Sequence, residues 1–151
     1  MRIMPQLVKG GKHVFAWITL NDSSTITLPP EIVDEYEFKP NEKLVLMPGS
    51  RKSGGFSIVP ERNLTDSPLN PLRNRETVQE DQVLMSKGKP FIVTRLGEGN
   101  TVAISKEALD LFGVEKGAKL LAVRGSGLGP GFVAKGPIMI EAFKHPEIEE
   151  Y

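Results

Sequence analysis

Residues Thr25 to Phe56 recur as Thr101 to Phe132 at a constant spacing of 76 positions, and this repeat constrains the fold more than any other feature. Glu31 falls on Glu107, Asp34 on Asp110, Lys43-Leu44 on Lys119-Leu120, Gly49-Ser50 on Gly125-Ser126 and Gly55-Phe56 on Gly131-Phe132. Apolar residues superpose too: Ile26 on Val102, Leu28 on Ile104, Phe38 on Val114. The register runs without a gap, which marks two copies of one structural unit. A unit of about 50 residues buries too little surface to be stable alone. The copies are therefore expected to share one core; the alternative is two independent small β domains.

Each copy reads as strand, strand, short helix, strand, strand. His13 to Leu20 is β-branched and aromatic, as strands are. Asn21-Asp22-Ser23-Ser24 is a turn signal, because Asx and Ser side chains bond the nearby backbone. Thr25 to Leu28 returns as a second strand, and Pro30 suits the first turn of a helix reaching Tyr36. Leu44–Met47 and Phe56–Val59 complete the unit. In the second copy the strands are Pro90–Leu96, Thr101–Ile104, Lys119–Val123 and Phe132–Ala134. Ser105 is placed to cap its helix, and Gly113 to end it in the left-handed conformation. Gly11-Lys12 matches Gly88-Lys89 at 77 instead of 76, which predicts a first hairpin turn one residue shorter in the second copy. That offset sets Phe15 and Trp17 against Ile92 and Thr94, with Tyr36 against Phe112. Core stacking is the expected role of these aromatics. The organisation is then repeat 1 over 8–60, a polar linker over 61–86, repeat 2 over 87–136 and an acidic tail over 137–151. Within the linker, Glu76 to Met85 is read as a short helix.

Composition excludes more than it identifies. With 19 Lys and Arg against 19 Asp and Glu, the chain is formally neutral, which argues against a strongly electrostatic nucleic-acid binder but not against a local basic patch. Without cysteine there are no disulfides, thiolate nucleophiles or Cys-based zinc sites. No apolar run approaches the roughly 18 residues of a membrane span, and Met1 to Gly10 is too short for a secretory signal, so a cytoplasmic location is expected. The loop Gly125-Ser126-Gly127-Leu128-Gly129-Pro130-Gly131 lacks the lysine-threonine or lysine-serine ending of a nucleotide-binding loop and lies between strands, so it is read as a hairpin turn. Arg51-Lys52-Ser53-Gly54-Gly55 is its counterpart, with two cations able to touch an acidic partner. His13 and His145 lack neighbouring ligands at metal-binding spacing, so surface placement is expected and no metal or cofactor is implied. No spacing signals acid–base or nucleophilic catalysis, and an enzyme is not expected.

The run Thr25-Ile26-Thr27-Leu28-Pro29-Pro30-Glu31-Ile32, with Phe38 and Lys43-Leu44, resembles the AbrB/MazE/SpoVT family of swapped-hairpin DNA-binding domains. The second copy carries it as Thr101-Val102-Ala103-Ile104-Ser105-Lys106-Glu107, with Leu111-Phe112-Gly113-Val114 and Lys119-Leu120. Members usually supply one unit per chain, and two chains interleave their hairpins into a shared barrel. The resemblance therefore implies a mainly β fold with short helices, two tandem strand-strand-helix-strand-strand units forming one intrachain swapped-hairpin pseudo-dimer barrel. Such a chain would be a monomer with internal pseudo-symmetry, or a homodimer. The function implied is a DNA-binding transcriptional regulator or antitoxin-like protein, with DNA and a protein such as a toxin as partners. The alternative is a protein-interaction module that has lost DNA binding. In DNA-binding members arginines open the second hairpin strand and sit on the helix. Here Thr25 and Thr101, Val33-Asp34 and Leu109-Asp110 occupy those places. Candidate contacts are consequently the first-strand residues Lys12, His13, Lys89 and Arg95, with Arg95 foremost because it lies near the hairpin turn.

Overall fold

A computed structural model describes residues 13–64, 79–125 and 127–151. The first repeat contributes β1 (Val14–Thr19), β2 (Thr25–Thr27), α1 (Pro30–Tyr36), β3 (Lys43–Pro48) and β4 (Phe56–Pro60). After a 3-10 turn at Glu61–Leu64 comes β5 (Val83–Ser86), which belongs to neither repeat. The second contributes β6 (Lys89–Arg95), β7 (Thr101–Ala103), α2 (Lys106–Phe112), β8 (Lys119–Val123) and β9 (Gly131–Val133), and α3 (Pro137–Ala142) follows. The expected helix over 76–85 is corrected: 76–78 lie outside the described residues, and the remainder ends in β5. Alternation decides this, since Val83 and Met85 point outward while Leu84 and Ser86 are half-buried.

The repeats exchange strands. β1 pairs antiparallel with β8 of the other copy, and β6 pairs antiparallel with β3. Seven strands run in the order β1-β8-β9-β4-β3-β6-β5, and β2 pairs with β7 as a separate two-stranded sheet. A pseudo-twofold axis relates the halves, because residues 76 apart meet each other: Phe56 faces Phe132, and Ile26 faces Val102. Loop bonds repeat as well: Leu28 N–H donates to the Asn100 carbonyl at 2.9 Å, and Ile104 N–H to that of Ser24 at 2.8 Å. The expected closed barrel is not formed by hydrogen bonds. The ladder is open, with β1 and β5 at its two ends, and the β2–β7 pair and helices α1 and α2 cover its inner face.

Two register expectations are corrected. Thr19 faces Lys119 and Arg95 faces Lys43, while Trp17 faces Leu121 and Val93 faces Val45. The offset along β1 and β6 is therefore 76, which makes Trp17 equivalent to Val93 and leaves both hairpin turns the same length. The extra residue lies in a bulge: Val14 faces Val123 and Ala16 faces Ala122, with Phe15 between them and buried in the core.

One cluster fills the space between the sheet, the β2–β7 pair and α1 and α2, with Phe56 stacked on Phe132 at 5.2 Å and on Phe112 at 4.9 Å. Both helices end in a left-handed residue, Glu37 after α1 and Gly113 after α2, and α2 also has a side-chain cap at its start. The Ser105 hydroxyl accepts the Ala108 N–H at 3.2 Å, and Gly113 at φ 67° ends α2. Leu28 and Ile104 stand at equivalent places before the helices, each 2% exposed. Truncating either to alanine should cost about 2–5 kcal/mol. Chemical denaturation of both variants checks this, and negligible losses at both would contradict the shared core.

The outer face is covered from outside the repeats. The expected acidic tail forms α3 and an edge segment, which bury Trp17, Leu121 and Val123 against Met139, Ala142 and Ile148. Residues 149–151 then run parallel to β1: Trp17 N–H donates to the Glu149 carbonyl at 2.8 Å, and Tyr151 N–H to that of Trp17 at 2.8 Å. At the opposite edge β5 lies beside β6. Both half-sheets thus have their edges occupied by non-repeated chain, which limits strand addition from outside.

Candidate functional site

The strand registers divide the expected contact residues between two ends of the sheet. Lys89 opens β6 and Arg95 closes it, six residues or about 20 Å apart at the rise of an extended strand. His13 precedes β1, its carbonyl accepting the Arg124 N–H at 2.8 Å. Lys12 lies outside the described residues. Sequence reasoning placed these four residues in one group; the ladder does not bring Lys89 and Arg95 to a common point.

The twofold places one repeated lysine in each half of the sheet, at opposite ends of it. Arg95 faces Lys43 across the β6–β3 ladder, and Lys119, the repeat equivalent of Lys43, faces Thr19 across β1–β8. Lys43 and Lys119 were visible as identities between the copies, and asking which repeated residues are charged would have found them. The side chains are not equally available. Arg95 Nε donates to Glu80 at 2.7 Å, and its Nη1 to the Asn41 carbonyl at 3.2 Å. Lys119 pairs with Glu150 and stands 4.6 Å over the Trp17 ring. Both carboxylates come from outside the repeats, Glu80 ahead of β5 and Glu150 beside β1. Lys43 has no ion-pair partner among the described residues.

Two further arginines are structural. Arg62, in the 3-10 turn, pairs with Glu42 and donates to the Tyr36 carbonyl at 2.7 Å, tying the end of α1 to the start of β3. Arg124 pairs with Glu35, and that hydrogen bond holds its guanidinium more firmly protonated than usual. Burial, reinforced by the Glu35 charge, raises the Tyr36 hydroxyl above its ordinary pKa. His145 is half-buried, with Nδ1 at 2.7 Å from Glu147 and Nε2 at 3.4 Å from Glu141. Its pKa is raised, first by the Glu147 hydrogen bond, while Glu147 is lowered by its own backbone amide and then by His145. Among the described residues no group of three or more acidic, histidine or cysteine side chains is arranged to hold a metal ion. No described helix is long and apolar enough to cross a membrane.

Trp17 is 4% exposed and stacks on Phe143 at 4.9 Å, so it is a buried contact beneath the C-terminal segment. At the Lys89 end a groove of about 560 Å³ is lined by Met47, Leu64, Pro90, Phe91 and Leu128, with Lys87 and Lys89 on its rim.

No protein-family model matches the chain, and no curated protein matches it. Among solved structures, the solution structure of PHS018 from Pyrococcus horikoshii is similar at 15% identity, covering 82% of this chain and 98% of that one, with a TM-score of 0.35.

Proposed function

We propose that the protein is a DNA-binding transcriptional regulator or antitoxin-like protein of AbrB type, its two repeats forming an intrachain swapped-hairpin pseudo-dimer. The observation that carries this reading is the strand exchange about the Ile26–Val102 and Phe56–Phe132 axis. It makes one chain a counterpart of two interleaved hairpins, with the open sheet and its β2–β7 cover standing where the family has a barrel. A twofold reader matches the local twofold of duplex DNA, and Lys43 and Lys119 are the repeated cations such a surface would offer. Contacts would be made to phosphates by Arg95, Lys43 and Lys119.

A second reading, a protein-interaction module that has lost DNA binding, is favoured by one observation. Arg95 and Lys119 are already neutralised by Glu80 and Glu150, so phosphates must compete with carboxylates. The competition itself separates the readings. In fluorescence-anisotropy titrations against genomic fragments, low-salt binding should be weak and log K should fall with log salt at a slope of about −3 or shallower. Arg95→Ala should lower affinity and reduce that slope by about 1. Glu80→Gln should raise affinity by releasing the same guanidinium. Absence of binding at low salt, for both the native chain and Glu80→Gln, would reject the DNA reading and leave the interaction module.

A further inference from the structure

The turn between β3 and β4 breaks the twofold in a way that folding does not require. Its counterpart between β8 and β9 carries Gly127, Leu128, Gly129 and Pro130 where this turn has Arg51, Lys52, Ser53 and Gly54. Leu128 packs against the outer apolar cluster of Val45, Val59 and Leu64, and its carbonyl accepts a bond from Asn63 at 2.9 Å. One copy of the turn has thus become packing. The other keeps its cations in solvent, where Arg51 and Lys52 are exposed.

A third cation joins them from the second repeat. The Ala134 and Lys135 amides both donate to the Ser53 carbonyl at 2.9 Å, which fastens the strand after β9 to this turn. The Lys135 stem lies along Gly54, where an added Cβ would stand 3.5 Å from Lys135 Cγ and Cε. Gly136, at φ 104°, lets the backbone approach the Lys52 carbonyl, which an added Cβ would meet at 3.0 Å. Between these segments is a hollow of about 220 Å³ lined by Ser50, Lys52, Ser53, Lys135, Gly136, Pro137 and Ile138, with no carboxylate among the described residues of its wall. Ser50 Oγ and Ser53 Oγ are 2.7 Å apart, and Ser50 Oγ also accepts the Ser53 N–H at 3.2 Å. Whichever hydroxyl donates to the other, one hydroxyl hydrogen remains for a further acceptor.

We propose that this hollow binds a phosphate group, through the ammonium groups of Lys52 and Lys135 and one serine hydroxyl, with Arg51 as an outer cation. Five other cations, Arg62, Arg95, Lys119, Arg124 and Lys144, are each met by a carboxylate of the chain, whereas Arg51, Lys52 and Lys135, like Lys43, have no ion pair among the described residues. Two lysines lining one hollow repel each other, and an anion between them relieves that repulsion. A phosphate oxyanion offers both the charge and several acceptor oxygens. Nucleic-acid backbone and small phosphorylated molecules present the same group. The site lies at the end of the sheet remote from Arg95 and Lys43, whereas Lys119, on β8 beside β9, lies toward the same end as Lys135.

The test is an NMR titration of the full 15N-labelled chain with sodium phosphate, at ionic strength held constant with chloride. Separate titrations use a phosphorylated nucleoside, single-stranded DNA and duplex DNA. Saturable shifts are expected at Ser53, Gly54, Lys135 and Gly136, with affinity reduced about tenfold in the double variant Lys52→Gln, Lys135→Gln. Shifts with phosphate and nucleoside but not DNA identify a small phosphorylated ligand; shifts with DNA at the same amides identify the backbone. Both support the site. No saturable shift with any anion, or identical shifts in the double variant, overturns it. Because both lysines are exposed, the variant should melt with the native chain, and Arg95→Ala should leave these shifts unchanged.

Discussion

A chain ending after Pro60 is expected to be unfolded as a monomer. Cutting there removes β8, the ladder partner of β1; β7, the partner of β2; β6, which flanks β3; and β9, which flanks β4. What survives is the β3–β4 hairpin and a seven-residue helix. An isolated two-stranded hairpin is marginal in water, and a helix of that length is well below the roughly 12–15 residues at which isolated helices become even marginal. The half-core would expose Phe56, Ile26 and Leu46, which are fully covered in the intact chain. Circular dichroism at micromolar concentration should show little structure. Structure appearing only at high concentration, with a doubled mass by sedimentation, is the expected exception, because two halves can exchange strands with each other. A folded monomeric half would disprove the shared core.

The second large effect separates two glycines that the repeat makes equivalent. Gly55 has φ +67° and an added Cβ would stand 1.9 Å from the Phe132 carbonyl oxygen, on the ladder at the twofold axis. Its counterpart Gly131 has no left-handed φ, and its added Cβ would meet only a Val123 methyl at 3.4 Å. Gly55→Ala must therefore move backbone on both sides of the axis, while Gly131→Ala requires at most a small side-chain adjustment. The expected cost is about 3 kcal/mol or more for the first and about 1 kcal/mol or less for the second. In a domain of this size the first corresponds to a fall of roughly 10 °C in melting temperature. Equal losses in a thermal-melt comparison would show that the close approach to Phe132 is not what requires glycine.

Local chemistry made the repeated elements legible. Apolar, β-branched and aromatic runs mark β1, β3, β6 and β8, Pro30 opens one helix, and Ser105 and Gly113 bound the other. Pairing was harder, because strand partners are chosen by contacts far apart in sequence. The exchange of β1 and β6 came from the family resemblance, since no property of either strand specifies its neighbour. Phe15 reads as an ordinary strand residue in the sequence, because a bulge exists only relative to a partner strand. β5 carries no strand signal in the sequence, because its stretch is polar and its two outward residues are apolar, as an edge strand permits. At the candidate site, the cations could be listed but their state could not. Arg95 meets a carboxylate 15 positions away and Lys119 one 31 positions away, and neither spacing is a helical one.

In a symmetric homodimer every substitution is made twice, and near the axis the altered residue confronts its own copy. A change tolerable once is often intolerable doubled, so such interfaces are narrowly constrained. Joining the two units in one chain lifts that restriction, because Ile26 and Val102, or Gly55 and Gly131, answer to separate codons. The lysine-bearing turn and its apolar counterpart at Leu128 are what that independence permits. Variation in this chain is accordingly expected to be one-sided, with one half free to acquire a contact while the other preserves the frame.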